Sequence, residues 1–396
     1  MFQITEETET FTPSGGVKRL EPVRVLHLGK FYPPHPGGME THLQALCGGL
    51  KGSLKVEVVV AGDGRESVDE IIEGVRVARL STLLNFAAAP VCPQMIGRIR
   101  EARADIVHIH WPNPTAVLAY LLSRHRGHLI FTYHSDIIRQ RLLRKPFWPI
   151  LRHALKRARA IIAASPNYVE TSPVLQKFRE RCRVIPFGIP LAQFEEVDQL
   201  EVARIRRRYG PRIVLAVGRL VYYKGFRYLV RAMREVDAHL IIVGSGPLLD
   251  DLRREAQALG VNNRVTILTD VERVAPFYHA ADVFALPSIA RSEAFGIVQL
   301  EAMACRKPVV NTRLDSGVTF ASPDGVSGLT VPPKDARALG QAINLLLDDE
   351  ALRARYGQAG RLRVEREFDL KVMTERTLEL YREVMNSQLE ESGVEL

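Results

Sequence analysis

Two series of short apolar runs, each run followed by a segment of helical period, constrain this chain more than any other feature. The first series comprises residues 23–28 (V-R-V-L-H-L), 56–61, 105–110 (D-I-V-H-I-H), 129–133 (L-I-F-T-Y), 160–164 and 182–186. The second comprises residues 213–218, 239–244, 265–268, 283–286 and 309–311. Strands buried on both faces read as continuous apolar runs, and strands alternating with helices predict a parallel sheet covered by those helices. Read twice, the pattern predicts an α/β chain of two such sheets. The length agrees, because 396 residues exceed what a single core usually serves. I-P-F-G-I-P at 185–190 is the expected linker, and the polar residues 1–21 are expected to form a disordered tail.

The formal net charge is +9, which points to nucleotide phosphates, nucleic acid, an anionic membrane surface, or simply a solvated basic face. Basic residues cluster from Arg139 to Arg159, with Leu142, Phe147, Trp148, Ile150 and Leu151 interleaved. Such a segment is able to lie on an anionic membrane, held by apolar insertion and roughly 1 kcal/mol per basic residue. A domain helix with a basic outer face has the same composition. No apolar run approaches the roughly 18 residues that span a bilayer, and an N-terminus reading M-F-Q-I-T-E-E-T-E-T is too acidic for a signal peptide. The chain is therefore expected in the cytoplasm, with peripheral contact at the inner membrane face only on the membrane reading of that segment. Cys47, Cys92, Cys182 and Cys305 are scattered and suggest neither a zinc site nor a disulfide framework.

Ligands of a parallel sheet gather beyond the carboxyl ends of its strands, so residues that follow the apolar runs are the candidate site. Gly37 and Gly38 follow the first run and precede a helix, where backbone approaches a ligand closely and the helix terminus favours negative charge; a plain turn has the same composition. His134 follows residues 129–133 and falls in the same crevice. Gly218, Arg219 and Lys224 lie in G-R-L-V-Y-Y-K-G-F, where two fixed cations suit a departing diphosphate, although two exposed surface cations read the same way. Gly244 and Gly246 lie in I-I-V-G-S-G-P, but Leu249 stands where a dinucleotide fingerprint needs its third glycine, and no G-x-x-x-x-G-K-[ST] loop is present.

The stretch R-S-E-A-F-G-I-V-Q-L-E-A-M-A-C-R-K-P carries Glu293 just ahead of a helix expected to begin near Phe295. Glu293 suits sugar hydroxyls, the amides of Ala294, Phe295, Gly296 and Ile297 suit phosphate, and Glu301 suits two ribose hydroxyls. On the residues alone, the two carboxylates also fit a metal site or a glycosidase-like pair. The lack of a nearby cluster of metal-ligand spacing disfavours the metal.

P-G-G at 36–38, Y-H-S at 133–135, G-R-L-V-Y-Y-K-G at 218–225, G-S-G-P at 244–247 and the E-x7-E pattern from Glu293 to Glu301 occur in that order. In this order they resemble the family 4 retaining glycosyltransferases of the GT-B fold, and the resemblance runs from about residue 23 to residue 381. It implies two Rossmann-like domains facing a cleft. Residues 22–188, joined by a returning helix at 371–390, would bind the acceptor, and residues 189–370 the nucleotide-sugar donor. By matching position, His134 would sit beside the transferring sugar, Arg219 and Lys224 would hold the diphosphate, Glu293 the sugar and Glu301 the ribose. Gly37 and Gly38 would approach the phosphates, with Gly218, Gly244, Gly246 and residues 294–297 completing the donor site. His108 and His110 do not match that position and read as strand or cleft-wall residues. Leu370 departs from the aromatic often found there in the family, which bears on where the chain crosses back.

The resemblance implies sugar transfer with retention, the leaving phosphate taking the acceptor proton. His134, Arg219, Lys224 and Glu293 are its expected catalytic residues. No metal or other cofactor is expected, because Arg219 and Lys224 would take its place. Similarity to bacterial mannosyl and related transferases favours GDP-mannose as donor, then UDP-sugars, and a lipid-linked saccharide or glycan as acceptor, with no nucleic-acid partner. Two rivals share the fold: a nucleotide-sugar 2-epimerase, which would need no acceptor, and a non-catalytic nucleotide-sugar-binding subunit.

Overall fold

The computed structural model describes residues 22–35, 37–64, 66–86, 89–136 and 141–391, with 86, 141–145 and 387–391 described by their backbone alone. The tail expected over residues 1–21 lies outside them. The first half supplies β1 (Arg24–Leu28), β2 (Lys55–Ala61), β3 (Val68–Ile72) and β4 (Val75–Leu80), then a separate antiparallel pair, β5 (Leu84–Phe86) and β6 (Ala89–Val91). It continues with β7 (Ile106–Trp111), β8 (His128–Tyr133), β9 (Ala160–Ala163) and β10 (Cys182–Val184). The main sheet runs β10-β9-β8-β7-β1-β2-β4-β3, parallel except at the edge strand β3. V-R-V-A-R-L of β4 buries Val75, Val77, Ala78 and Leu80, so it extends the parallel sheet, whereas V-D-E-I-I of β3 is largely exposed and only borders it.

The second half supplies β11 (Ile213–Val217), β12 (His239–Val243), β13 (Val265–Leu268), β14 (Val283–Leu286), β15 (Val309–Thr312) and β16 (Gly328–Val331). All are parallel, in the order β13-β12-β11-β14-β15-β16. Numbered within this half, that is 3-2-1-4-5-6, the order of a dinucleotide-binding fold.

One face of the first sheet packs Leu26, Val107, Ile109 and Phe131 against Met95, Ile99 and Val117. The other packs Val25, Val58, Ile106 and Ile130 against Leu43 and Leu46, together with Met373, Leu380, Tyr381 and Val384 of the last helix, Leu370–Glu391. The chain thus crosses between the halves twice, and the crossings lie side by side. The Ile189 N–H donates to the Phe368 carbonyl at 2.9 Å and the Leu370 N–H to the Ile189 carbonyl at 3.0 Å. Ile185, Phe187 and Ile189 are buried, so the stretch expected as a linker belongs to the two cores it joins.

The basic segment forms the helix Arg141–Arg157. Its described apolar side chains turn inward: Leu151 is buried, Phe147, Trp148 and Ile150 pack on the first core, and Phe147 stacks on Trp111 with ring centroids 6.0 Å apart. Leu151 is thereby withdrawn from water and Phe147, Trp148 and Ile150 partly so, which leaves less apolar surface for the membrane insertion expected of this segment. Arg152, Lys156 and Arg157 remain exposed, while Arg139 and the Leu142 side chain lie outside the described residues. Among the described residues no helix is long and apolar enough to cross a membrane.

Candidate active site

β11 and β14 are neighbours although two strands separate them in sequence, so the sheet order reverses between them. Loops leaving the carboxyl ends there form the crevice in which such sheets bind ligands. The loop after β11 carries Lys224 and the loop after β14 carries Glu293. In this structure they form one ion pair, Lys224 Nζ to Glu293 Oε2 at 2.6 Å. Both residues are buried, and the Ser288 hydroxyl donates to the same carboxylate oxygen at 2.8 Å. Arg219, in the same loop as Lys224, is exposed.

The G-S-G-P loop after β12 is laced to the loop after β11. The Leu220 N–H donates to the Ser245 carbonyl at 2.8 Å, and the Leu248 N–H donates back to the Leu220 carbonyl at 3.1 Å. At Gly244 (φ 154°) a Cβ would stand 2.0 Å from the Gly218 carbonyl oxygen, and at Gly246 (φ 151°) 2.8 Å from the Leu220 backbone. Packing of the two loops therefore suffices to require glycine at both positions. Gly244 and Gly246 position the strip from Gly218 to Lys224.

The helix Ile297–Ala304 begins two residues later than expected, after Gly296 in a left-handed conformation, and no side chain caps its first amides. Glu301 on this helix accepts a hydrogen bond from the Tyr278 hydroxyl at 2.6 Å. Burial holds its carboxyl above the usual carboxylate range, opposed by that hydrogen bond and by the charge of Lys224. Ala294 packs on the first domain's core. Phe295 is buried and meets Phe187 edge-on at 5.2 Å, and Phe187 in turn stacks on His134 at 5.2 Å. His134 and the stretch 293–297 thus flank one ring of the crossing segment.

His134 follows β8 and is buried, and burial, with the neighbouring His42, lowers its pKa well below the ordinary histidine value. At the start of the helix Gly38–Leu50, Gly38 is exposed and a Cβ there would meet nothing within 4 Å. A Cβ on Gly37 would meet the Glu40 carboxylate. Glu40 is a buried residue that sequence reasoning left without a role. Burial raises its carboxyl, opposed by its own backbone N–H and by His35, Lys30 and Arg219. Lys30 is lowered by burial, with Glu40 raising it and Arg219 lowering it further. Glu40, Lys30 and Arg219 are therefore near enough to act on one another's charge.

Arg291 also went without a role, though it opens the stretch that contains Glu293. It reaches the other domain, donating to the Thr171 carbonyl at 2.9 Å and to Asp136 Oδ2 at 3.3 Å. Asp136 lies two residues after His134 and also accepts from the hydroxyls of Tyr133 and Ser172, each at 2.9 Å. The Thr171 hydroxyl bonds the Asp315 carbonyl at 3.0 Å. The carboxyl ends of the two sheets are held face to face by these contacts. Cavities of about 510 and 860 Å³, lined by Arg24, Lys55 and Asp105 among others, lie at the amino ends of the first sheet, away from this site.

Residues 36–193 match the family described as Glycosyltransferase Family 4, and residues 199–363 the family described as Glycosyl transferases group 1. The O-antigen chain mannosyltransferase C of Escherichia coli is 33% identical over 372 residues, covering 92% of this chain and 100% of that protein. The D-rhamnosyltransferase WbpZ of Pseudomonas aeruginosa is 34% identical over 331 residues (82% and 86%). A GDP-mannose-dependent alpha-(1-6)-phosphatidylinositol monomannoside mannosyltransferase of Mycolicibacterium smegmatis is 33% identical over 356 residues (83% and 91%). Among solved structures, sucrose-phosphate synthase from Thermosynechococcus elongatus superposes with a TM-score of 0.77 at 24% identity, covering 92% of this chain and 100% of that one. Anabaena HepE in complex with UDP-glucose gives 0.76 at 20% identity (91% and 99%). Both share the fold of two Rossmann-like domains.

Proposed function

The chain belongs to the family 4 glycosyltransferases of the GT-B fold, enzymes that transfer hexoses, and on that premise we propose that it moves mannose from GDP-mannose to a hydroxyl of a lipid-linked saccharide or polysaccharide, with retention. A UDP-sugar is the next donor. The observation that carries the reading is the Lys224–Glu293 ion pair at the switch point of the second sheet, with His134 beyond Phe187. Two relatives named as mannosyltransferases, one of them GDP-mannose-dependent, support the donor.

The acceptor oxygen bonds to the anomeric carbon as the bond to the β-phosphate oxygen breaks, and the acceptor proton passes to that phosphate. Arg219 and Lys224 stabilise the charge that the leaving diphosphate gains, a role that needs no divalent metal. As Lys224 turns to phosphate it releases the Glu293 carboxylate to the sugar hydroxyls, so one pair serves both ends of the bond that breaks. His134, held neutral, orients the sugar on the opposite wall. Glu301 takes the ribose.

A thermal-shift screen of nucleotide sugars tests the reading. GDP-mannose is expected to stabilise most, by about 2.7 kcal/mol at a hundredfold excess over its dissociation constant. No stabilisation by any nucleoside-diphosphate sugar would sink the proposal. Conversion of the donor to its epimer without an acceptor would favour the epimerase instead.

Closure of the domains excludes water from the donor, and Arg291 is the residue that ties the Glu293 loop to the His134 loop. Arg291→Ala is expected to lower kcat/KM about thirtyfold, the equivalent of about 2 kcal/mol for a lost charged hydrogen-bond set. Arg291→Lys should rescue little, since one ammonium cannot reproduce the guanidinium fork. Unchanged kcat/KM in Arg291→Ala would remove Arg291 from closure.

A further inference from the structure

Behind His134 the first domain gathers imidazoles from four elements: His27 on β1, His42 on the helix Gly38–Leu50, His108 and His110 on β7, and His134 after β8. All are buried. His108 is fully engaged, its Nδ1 2.5 Å from the Tyr381 hydroxyl and its Nε2 2.7 Å from the Thr132 hydroxyl. His110 lies between two others, its Nε2 3.0 Å from His27 Nδ1 and its Nδ1 3.2 Å from His134 Nε2. His42 is different, because both of its ring nitrogens are buried and have no hydrogen-bond partner among the described residues. Its ring lies edge-on to that of His134 at 5.0 Å and 5.8 Å from that of His110. One nitrogen from each of His42, His110 and His134 lies within 4.8 Å of the other two.

We propose that His42, His110 and His134 form a binding site for a divalent transition metal of the zinc class. Two nitrogens left unsatisfied in the interior are costly, and a metal bond to His42 would remove part of that cost. The 3.2 Å between His110 Nδ1 and His134 Nε2 is close to the roughly 3.3 Å that separates two ligands bound about 2.0 Å from one tetrahedral ion. His110 has its other nitrogen on His27, the kind of outer partner that fixes the ring of a ligating histidine. The alternative triple of His27, His108 and His110 lacks free capacity, since Tyr381 and Thr132 occupy both nitrogens of His108. Imidazole ligands select zinc, copper or nickel over magnesium or calcium, so this site is separate in place and chemistry from the cations that meet the diphosphate. Three protein ligands leave one tetrahedral position for water.

Metal bound here occupies the Nε2 lone pair of His134 and locks its ring. On the transferase reading, which this half of the inference rests on, the metal is an inhibitor; the binding itself does not depend on that reading. The test uses the full chain without a polyhistidine tag, dialysed against zinc. One zinc per chain is expected, with an X-ray absorption spectrum showing nitrogen neighbours near about 2.0 Å. His42→Gln should weaken zinc binding at least tenfold, whereas His153→Gln, at an exposed position, should not change it. Absence of bound zinc, an oxygen-only shell, or His42→Gln binding as wild type each overturns the site. The spectrum of the wild-type chain decides the matter even where His42→Gln folds poorly. Zinc should also slow transfer by the wild-type chain, with recovery in chelator; full transfer by zinc-loaded enzyme overturns the inhibitory role.

Discussion

Replacing Lys224 with alanine is expected to lower the transfer rate on the order of a thousandfold and to destabilise the second domain by about 3 kcal/mol. The two effects have separate causes. On the proposed role of Lys224, the rate falls because a fixed cation facing the leaving diphosphate is lost, and removing one such preorganised group costs about 10²–10³ in rate. The stability falls because Glu293, with a side chain only 9% exposed, keeps a carboxylate held by Ser288 alone. Breaking one side of a buried pair costs about 3–5 kcal/mol, and the slight exposure here argues for the low end. The double variant Lys224→Met with Glu293→Gln separates them: stability should return to within about 1 kcal/mol of wild type while transfer stays lost. Transfer by Lys224→Ala near the wild-type rate would remove Lys224 from the catalytic set, whatever its stability.

How far the sequence revealed this site follows from the range over which its residues interact. β7 and β11 were legible as strands because a parallel strand covered on both faces must be apolar along its whole length. β4 was not, since V-R-V-A-R-L alternates like one arm of a surface hairpin. Lys224 and Glu293 were legible as candidates because each stands just beyond an apolar run, where such sheets bind ligands. Their union in one ion pair was not, because it depends on β14 returning beside β11. The same holds for Arg291 and Asp136, which are 155 residues apart in the chain and meet across the cleft. Phe147 and Trp148 show the converse limit. Apolar residues interleaved with basic ones give an amphipathic helix, but whether its apolar face meets a core or a membrane is decided by the neighbours, here Trp111.

Acid is expected to unfold the metal-free chain between pH 7 and 5. Among the described residues five imidazoles are buried: His27, His42, His108, His110 and His134. Burial lowers the pKa of His27 and His42 to about 3, with the nearby His42 adding to the effect at His27, and lowers those of His108, His110 and His134 well below 6.5. In the unfolded chain each takes up a proton near pH 6.5. Over the interval between those values the unfolded state holds more protons than the folded one, so stability rises with pH and is lost as pH falls from 6.5 towards 3. His27 and His42 each give up about 2 kcal/mol between pH 7 and 5, and His108, His110 and His134 lose stability in the same direction, so the cluster draws on a large part of the stability of a typical domain. The carboxyls of Glu40 and Glu301 act in the opposite sense, because burial raises them and folding is favoured as they protonate. They are two against five, so the histidines dominate. In chelator, the Tm should therefore fall steeply below pH 6.5, with a net uptake of protons on unfolding near pH 5.5. His27→Gln should reduce that uptake by about one. A Tm at pH 5 within a few degrees of that at pH 7 would show that the cluster is solvated or already charged when folded, and the same buried, unprotonated rings could then not be what hold His134 against the cleft.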